Sequence, residues 1–216
     1  MDAVVVIHGL WMTGHELYFL RKRLIAGGLQ THKFSYRSTA EGLDENAARL
    51  ATFLRDVPGD RVHLVGHSLG GVVILKMLER FPPSRPGRVV CLASPLRGSL
   101  AARALAVSSM GALLLGKSTV YFLNEKGLDA WSGHHQLGVI AGDVPVGIGR
   151  FFGDVPFPND GTIAVEETVL AGAKDHIVLR ASHFSILVSK GAANQVLHFL
   201  RYGSFIHESS DNATNS

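Results

Sequence analysis

Short runs of apolar residues, separated by segments with helical spacing, are the feature that most constrains how this chain folds. The runs are continuously apolar rather than alternating, which is typical of strands covered on both faces of a sheet. They span residues 3–7, 62–65, 88–93, 137–141 and 177–181, with a weaker run at 32–36. Helical spacing of apolar residues occurs in segments 16–26, 43–54, 72–81 and 192–200. This alternation predicts an α/β fold in which helices flank an open, mainly parallel sheet.

The length and composition indicate one globular unit. The chain has 216 residues, of which 46% are hydrophobic and 18% charged, so it can bury a substantial core. We predict a single domain over residues 1–207 and a disordered Ser/Asn/Asp-rich tail at 208–216. The formal net charge is only +3, and the basic residues are scattered apart from the cluster Arg21-Lys22-Arg23. This pattern lacks the basic stripe of a nucleic-acid binder and predicts no nucleic-acid partner.

The sequence shows no targeting or membrane-spanning signal. The N-terminus enters an apolar strand directly, without the basic region and cleavage site of a secretory signal. The longest mostly apolar stretch, 104–115, is interrupted by Ser108 and Ser109 and is too short to cross a bilayer. The single Cys91 has no companion for a disulfide or a metal site. We expect a soluble, cytoplasmic protein with a buried, unreactive thiol.

A serine stands at the corner between a predicted strand and a predicted helix. The stretch VHLVGHSLGG contains Gly66-x-Ser68-x-Gly70. A serine on such a sharp turn projects above the carboxyl edge of the sheet, and small residues two positions away let backbones cross closely. The helix that follows directs its N-terminal N–H groups at the same place, where they favour a developing negative charge. The spacing predicts Ser68 as a nucleophile.

A serine hydroxyl needs a base to accept its proton and a third group to orient that base. Among eleven histidines, His183 is the candidate base because it closes the last predicted strand, at the carboxyl edge. His176 opens the same strand and therefore lies at the opposite edge. We interpret six others as hydrogen-bonded or solvent-exposed side chains: His63, His67, His134, His135, His198 and His207.

The acid that orients His183 should lie between the nucleophile and the base in the chain. Asp143 directly follows a predicted strand, and Asp160 lies in an Asn-Asp-Gly turn suited to holding a carboxylate rigidly. Asp154 and Asp129 are further candidates. On the residues alone, Asp143 and Asp160 stay open as alternatives.

Two backbone N–H groups are predicted to bind the negative oxygen that forms when a serine attacks a carbonyl. One belongs to Leu69, directly after the nucleophile, and the other to Leu10, in the loop after the first strand. Gly9 allows that loop to turn toward Ser68. We expect His8 to brace the loop by hydrogen bonding rather than to transfer protons.

Taken together, these motifs resemble the α/β-hydrolase superfamily, and within it the compact bacterial lipase/esterase-like branch. The segments that carry the resemblance are HGL, VGHSLGG, LASPLRGS, NDGTIAV and SHFSIL, and it extends from Val4 to about Phe205. It implies Ser68, His183 and Asp160 as the catalytic residues, with the N–H groups of Leu10 and Leu69 as oxyanion donors. It also implies a minimal α/β-hydrolase fold of about six strands without the usual first two, and no metal or organic cofactor. Ala93-Ser94 stands where glycine-threonine is usual, a departure that involves no catalytic residue.

The resemblance further implies hydrolysis of a small-molecule or lipid carboxylic ester through an acyl-enzyme. A thioesterase or acyltransferase with the same residues is the alternative, and a non-catalytic binding protein is disfavoured because all three residues are retained. We expect the insertion 99–124 to serve plain core packing, with a lid or an acyl-binding wall that could contact a lipid surface transiently as the alternative. Trp11, Phe151 and Phe152 favour an apolar acyl group.

Overall fold

A six-stranded parallel sheet organises the chain, whose computed structural model describes residues 2–118, 127–147 and 155–207. The strand order is β2-β1-β3-β4-β5-β6, and every neighbouring pair is parallel. The strands are β1 (Ala3–Ile7), β2 (Gln30–Phe34), β3 (Val62–His67), β4 (Pro86–Leu92), β5 (Leu137–Gly142) and β6 (Asp175–Leu179). The predicted α/β architecture with about six strands is thus confirmed. The weak run at 32–36 corresponds to β2, an edge strand that begins and ends two residues earlier than predicted.

Seven α-helices lie within the described residues. They are α1 (Tyr18–Ala26), α2 (Leu43–Asp56), α3 (Leu69–Arg80), α4 (Leu100–Ala106), α5 (Ser109–Leu115), α6 (Val165–Thr168) and α7 (Lys190–Tyr202). Short 3₁₀ turns occur at His15–Leu17, Gly116–Ser118 and Ser185–Leu187. None of these helices is long and apolar enough to cross a membrane, within the ranges that the structure describes. The expected tail at 208–216 lies outside those ranges.

The sheet is buried on both faces, which explains why its central strands are continuously apolar. On β1, Val5 and Ile7 face a core formed with α2 and α3, whereas Val4 and Val6 face one formed with α1 and α7. Ile25, an apolar residue of segment 16–26, lies off the buried face of α1. Its side chain is 55% exposed, because the buried row of Leu17, Leu20 and Leu24 follows the helical period and leaves Ile25 about 100° away from Leu24.

Two glycines allow the β3–α3 corner to press against its neighbours, as the sequence predicted. A Cβ added at Gly66 would lie 2.5 Å from the backbone nitrogen of Gly71. A Cβ added at Gly70 would lie 2.5 Å from the carbonyl oxygen of Ile7, at the end of the adjacent strand β1. Both contacts are with backbone, which cannot move aside as a flexible side chain does. The corner therefore depends on these two residues having no side chain.

We predict that Gly70→Ala lowers the free energy of unfolding by about 2 kcal/mol or more, because the added methyl group forces β1 and α3 apart. Gly191→Ala is the matched control. A Cβ at Gly191, in the first turn of α7, meets nothing closer than 3.6 Å, and alanine should stabilise that helix by about 0.5 kcal/mol. Urea unfolding of both variants measures the difference. Equal stability of Gly70→Ala and the wild type would contradict this account of the corner.

His8, His63 and His67 are buried in or beside the sheet, and His176 is half-buried at the start of β6. His63 accepts a hydrogen bond from the N–H of Arg88 (2.9 Å) through Nδ1, and His176 contacts the hydroxyl of Thr168 (3.0 Å) through Nε2. His8 and His67 lie at the carboxyl ends of β1 and β3. Burial lowers the pKa of His8, His63 and His176 below the ordinary 6.5, and it lowers the pKa of His67 well below that value.

These lowered pKa values predict a loss of stability in mild acid. Below about pH 6.5 the unfolded chain takes up protons that the folded chain does not, so the free energy of unfolding falls as the pH falls. Each such histidine steepens the profile by up to about 1.4 kcal/mol per pH unit. The raised pKa of Glu167 has the opposite effect on the free energy of unfolding, which it increases as the pH falls, and it acts closer to the pH range in which carboxyl groups ordinarily titrate.

The measurement is urea unfolding between about pH 7.5 and pH 6.0. We expect a falling midpoint with an unchanged denaturant slope, and a shallower pH profile in His63→Gln, which removes one titrating group. A midpoint that stays constant over this range would exclude the buried neutral histidines as determinants of stability.

Candidate active site

Ser68 lies on a strained corner between β3 and α3. Its backbone dihedrals are φ 53° and ψ −126°, a region that non-glycine residues rarely adopt and that costs about 1–3 kcal/mol. The corner is fixed by hydrogen bonds from the N–H of Ser68 to the carbonyl of Leu92 (2.9 Å) and from the N–H of Gly71 to the carbonyl of Ser68 (3.0 Å). The strain is typical of a turn that lifts a side chain above the carboxyl edge of a sheet.

The structure brings Ser68, His183 and Asp160 together in one hydrogen-bonded row. Nε2 of His183 lies 3.1 Å from Oγ of Ser68, and Nδ1 of His183 lies 2.8 Å from Oδ2 of Asp160. The carboxylate can only accept, so Nδ1 carries the proton and Nε2 is free to accept from the serine hydroxyl. His183 and Asp160 are almost completely buried, with exposures of 4% and 1%.

Asp160 is held by the backbone of its own turn. Its second oxygen, Oδ1, accepts hydrogen bonds from the N–H groups of Thr162 (2.9 Å) and Ile163 (2.7 Å). The N–H of Asp160 donates to the carbonyl of Ile163 (3.0 Å), and the N–H of His183 donates to the carbonyl of Asp160 (2.9 Å). Gly161 adopts φ 88°, which glycine tolerates without strain. The turn therefore presents one carboxylate oxygen to His183 and uses the other to maintain its own shape.

Neither Asp143 nor Asp129 takes this position. Asp143 follows β5, and its N–H donates to the carbonyl of Leu179. Its Oδ1 is buried without a hydrogen-bond partner, and no hydrogen bond joins it to His183 in the described residues. Asp129 is exposed, and Asp154 lies outside the described residues. Among the acidic candidates that the structure describes, Asp160 alone bonds to the imidazole.

The residues of the two expected oxyanion donors both lie beside Ser68. Leu69 is the first residue of α3, so its N–H has no acceptor within the helix. Leu10 follows Gly9, which approaches so closely that an added Cβ would lie 2.9 Å from Cβ of Ser68. Both leucines line the same cleft as Ser68 and His183.

His8 makes the bracing contacts expected for the Leu10 loop. Its Nδ1–H donates to the carbonyl of Gly9 (2.8 Å), and its Nε2 accepts from the N–H of Tyr36 (3.3 Å). The hydroxyl of Tyr36 donates to the carbonyl of His8 (3.0 Å), and the two rings stack with centroids 4.4 Å apart. A protonated His8 would lose the bond from Tyr36, which agrees with the lowered pKa of this imidazole.

Sequence reasoning missed a contact made by His67. Its Nε2–H donates to the carbonyl of His183 (2.8 Å), which fixes the backbone of the candidate base. Its Nδ1 is buried and has no hydrogen-bond partner in the described residues. The sequence predicted only that His67 is a hydrogen-bonded or solvent-exposed side chain, without naming a partner. A bond across 116 positions leaves no local signal.

Ser68 and His183 open into an apolar cleft roofed by the described part of the insertion, residues 99–118, which we call the cap. The cap contributes Ser99, Ala101, Ala102, Leu105 and Leu115 to the lining. Trp11 lines the opposite side, and its indole N–H donates to the carbonyl of Leu114 (2.9 Å). The cap is thus tied directly to the loop that carries Leu10. Residues 119–124 of the predicted insertion, and Phe151 and Phe152, lie outside the described residues.

No metal-binding cluster accompanies this site in the ranges that the structure describes. Cys91 is fully buried in β4, and burial raises the pKa of its thiol to about 12, which keeps it protonated.

Solved structures with the same fold include lipases, esterases and thioesterases. The mature lipase BlEst2 of Bacillus licheniformis is 20% identical with a TM-score of 0.72, and the match covers 92% of this chain and 90% of that chain. A metagenomic carboxyl esterase, MGS0156, is 19% identical with a TM-score of 0.63 over 86% of this chain and 65% of that chain. The type II thioesterase BorB from the borrelidin biosynthetic cluster is 16% identical with a TM-score of 0.60 over 93% and 91%. At these identities the likeness shows the fold alone.

The family assignment comes from the sequence itself. A search of curated proteins finds no significant match. A family model described as the alpha/beta hydrolase family matches residues 4–202, which is nearly the whole chain and includes every residue of the site described above. The chain belongs to the α/β-hydrolase family.

Proposed function

We propose that this chain is a serine hydrolase that cleaves carboxylic esters through Ser68, His183 and Asp160. The observation that carries the proposal is the row of hydrogen bonds from Oγ of Ser68 through His183 to Asp160, at 3.1 Å and 2.8 Å. This row gives the serine a base and gives the base a fixed orientation. It opens into a cleft with apolar walls, which suits the acyl part of an ester better than a charged substrate.

The proposed reaction transfers the acyl group twice. Oγ of Ser68 attacks the ester carbonyl carbon while Nε2 of His183 takes the hydroxyl proton, and the N–H groups of Leu10 and Leu69 stabilise the negative oxygen. As the tetrahedral intermediate collapses, the bond to the leaving oxygen breaks and His183 protonates the alcohol. Water then attacks the acyl-enzyme with His183 as base, and collapse of the second intermediate releases the acid and restores Ser68. Asp160 stays ionised and stabilises the imidazolium in both halves.

A thioester substrate or transfer to another acceptor uses the same groups. The similarity in fold to the thioesterase BorB supports thioester cleavage as the second candidate function. Hydrolysis of an oxygen ester is favoured here by the lipase BlEst2, whose match has the higher TM-score at near-complete coverage of both chains. Release of a free acid in water alone, compared with release in the presence of an added alcohol, separates hydrolysis from transfer.

The cap supports an apolar substrate and transient contact with a lipid surface. Leu105 and Leu115 are buried toward the cleft, whereas Val107, Met110 and Leu113 are 76%, 68% and 76% exposed on the outer side. The inner leucines support packing along the cleft, and the exposed side chains support contact with a surface. Sedimentation with lipid vesicles tests the outer face directly.

We predict that a fluorophosphonate labels the wild type and leaves Ser68→Ala unlabelled, because the reagent requires an activated serine. Ser109→Ala, which removes the serine that begins α5 in the cap, should label like the wild type. Mass spectrometry of the intact chain counts the adducts. An unlabelled wild type, or an adduct that survives in Ser68→Ala, would refute the proposed function.

We predict that Asp160→Asn reduces kcat on a chromogenic ester by about 10³-fold or more, because the asparagine amide disrupts the tautomer in which Nδ1 of His183 carries the proton. Asp143→Asn makes the same chemical change at the end of β5 and should stay within a few-fold of the wild type. Steady-state kinetics on both variants decides the matter. Near-native activity in Asp160→Asn with loss in Asp143→Asn would move the acid to Asp143.

A further inference from the structure

Glu167 is a buried carboxylate that holds two segments of the candidate active site. It lies in α6 and is 6% exposed. Its Oε1 accepts a hydrogen bond from the N–H of Leu100 (2.6 Å), and its Oε2 accepts one from the N–H of Ala164 (2.8 Å). Its carbonyl accepts a third, from the N–H of Arg97 (2.9 Å). One residue thus fixes the backbone at three places.

The two segments bound by the carboxylate are the acid turn and the start of the cap. Ala164 directly follows Ile163, whose own N–H donates to Oδ1 of Asp160. Successive peptide groups therefore bind two different carboxylates, those of Asp160 and Glu167. Leu100 is the first residue of α4, and the next two residues, Ala101 and Ala102, line the cleft. Glu167 lies between the group that orients His183 and the wall that meets the substrate.

The charge of Glu167 is stabilised by backbone N–H groups rather than by a cation. No ion pair involves Glu167 in the part of the chain that the structure describes. Burial disfavours its ionisation and raises its pKa, and the nearby carboxylates of Glu166 and Asp160 act in the same direction. Arg97 and Arg103 are exposed beside it. A buried charge of this kind costs free energy that a shorter or neutral residue would avoid. The helix Val165–Thr168 has only four residues, and capping so short a helix contributes too little stability to offset the free-energy cost of burying the carboxylate.

We propose that Glu167 is a positioning residue for the reaction at Ser68: its carboxylate sets the acid turn that carries Asp160 and the first turn of the cap helix α4 relative to each other. The proposal rests on the proposed function for its kinetic consequences. The bond from the N–H of Ala164 to Oε2, which we call the acid-turn bond, determines how the carboxylate of Asp160 meets His183 and therefore affects kcat. The bond from the N–H of Leu100 to Oε1, which we call the cap bond, determines the positions of Ala101 and Ala102 in the cleft wall and therefore affects KM.

The decisive variant is Glu167→Gln, with Glu166→Gln as its matched control. The glutamine amide has the shape of the carboxylate, but only its oxygen can accept, so either Leu100 or Ala164 loses its partner. Glu166 is the exposed neighbour, and its substitution makes the same change in charge without touching either segment. Titration of reactive sites with a fluorophosphonate gives the concentration of folded enzyme, so that kcat refers to folded sites alone.

We expect kcat in Glu167→Gln to fall by about 10- to 100-fold on ester substrates, with Glu166→Gln unchanged. We also expect the low-field proton resonance of the His183–Asp160 hydrogen bond to shift or broaden, which a loss of stability alone would not cause. A lowered Tm with kcat within twofold and an unshifted resonance would overturn the proposal. Failure of the wild type to label at Ser68 would instead refute the proposed function, and the resonance would still decide whether Glu167 positions Asp160.

A second variant keeps the cap bond testable if Glu167→Gln does not fold. Leu100→Pro removes the N–H that donates to Oε1, together with the half-exposed leucine side chain, at the first helical position, where proline is well tolerated. Ser99 already has the extended backbone that a following proline requires. We expect KM to rise by about three- to tenfold with kcat and the His183 resonance retained, while Leu100→Ala, which keeps the N–H, behaves as the wild type. An unchanged KM in Leu100→Pro would overturn the cap half of the proposal.

Discussion

The close approach of backbone at Gly70 is the constraint on which the rest of the site depends. The first turn of α3 presses against the carbonyl groups of Ile7 and His8, with no room for a side chain between them. This contact brings the end of β1 beside the corner of β3, so that the loop of Leu10 and the N-terminus of α3 line the same cleft as Ser68. The strained dihedrals of Ser68 follow from the same geometry, because the chain must reverse within one residue while remaining against β1. The proposed nucleophile and the proposed oxyanion donors are thus positioned by one contact between main chains.

Backbone N–H groups, rather than cations, hold the two buried carboxylates around this corner. Asp160 receives two such groups on Oδ1, and Glu167 receives one on each oxygen. If an arginine held the carboxylate, its positive charge would lie close to the imidazole. The carboxylate would then stabilise a positively charged imidazole less. Held by fixed dipoles, Asp160 keeps its negative charge directed at Nδ1 of His183, where an imidazolium is stabilised. The neutral His8 and His67 brace the neighbouring loops without adding positive charge beside that imidazolium.

The sequence predicted the sheet well and the site only in part, and the difference has a physical basis. Strands covered on both faces are largely apolar, so β1, β3, β4 and β5 were visible as continuous runs, whereas the edge strand β2 was weak and displaced. Ser68 and His183 could be proposed as nucleophile and base because both lie at the ends of strands, where chain order fixes the edge of the sheet. The acid was ambiguous because Asp143 directly follows a predicted strand, whereas Asp160 lies in an Asn-Asp-Gly turn suited to holding a carboxylate. Its selection rested on family resemblance, and the hydrogen bonds of the folded turn agree with that choice.

His67 and Glu167 escaped sequence reasoning because their partners are remote. His67 meets a carbonyl 116 residues away, and Glu167 meets an N–H 67 residues away. A glutamate at the third position of a helix is a recognisable capping signal, because its side chain can accept a hydrogen bond from the N–H of the residue before the helix. Glu167 has this position relative to Ala164. That signal would have found the local bond to Ala164 but not the bond to Leu100. The link to the cap follows only from the folded arrangement, which brings α4 against α6.

The anchors of the cap have a consequence for how such an enzyme can change its substrate. Trp11 binds the cap at the carbonyl of Leu114, and Glu167 binds it at the N–H of Leu100. Both bonds use main-chain atoms of the cap, so neither depends on which side chains the cap carries. Ala101, Ala102 and Leu105, which face the cleft, can therefore be exchanged for larger or smaller residues without releasing the cap from the oxyanion loop or from the acid turn. In the proposed enzyme, the side chains of the cap that would select the ester are in this way separate from Ser68, His183 and Asp160, which would cleave it.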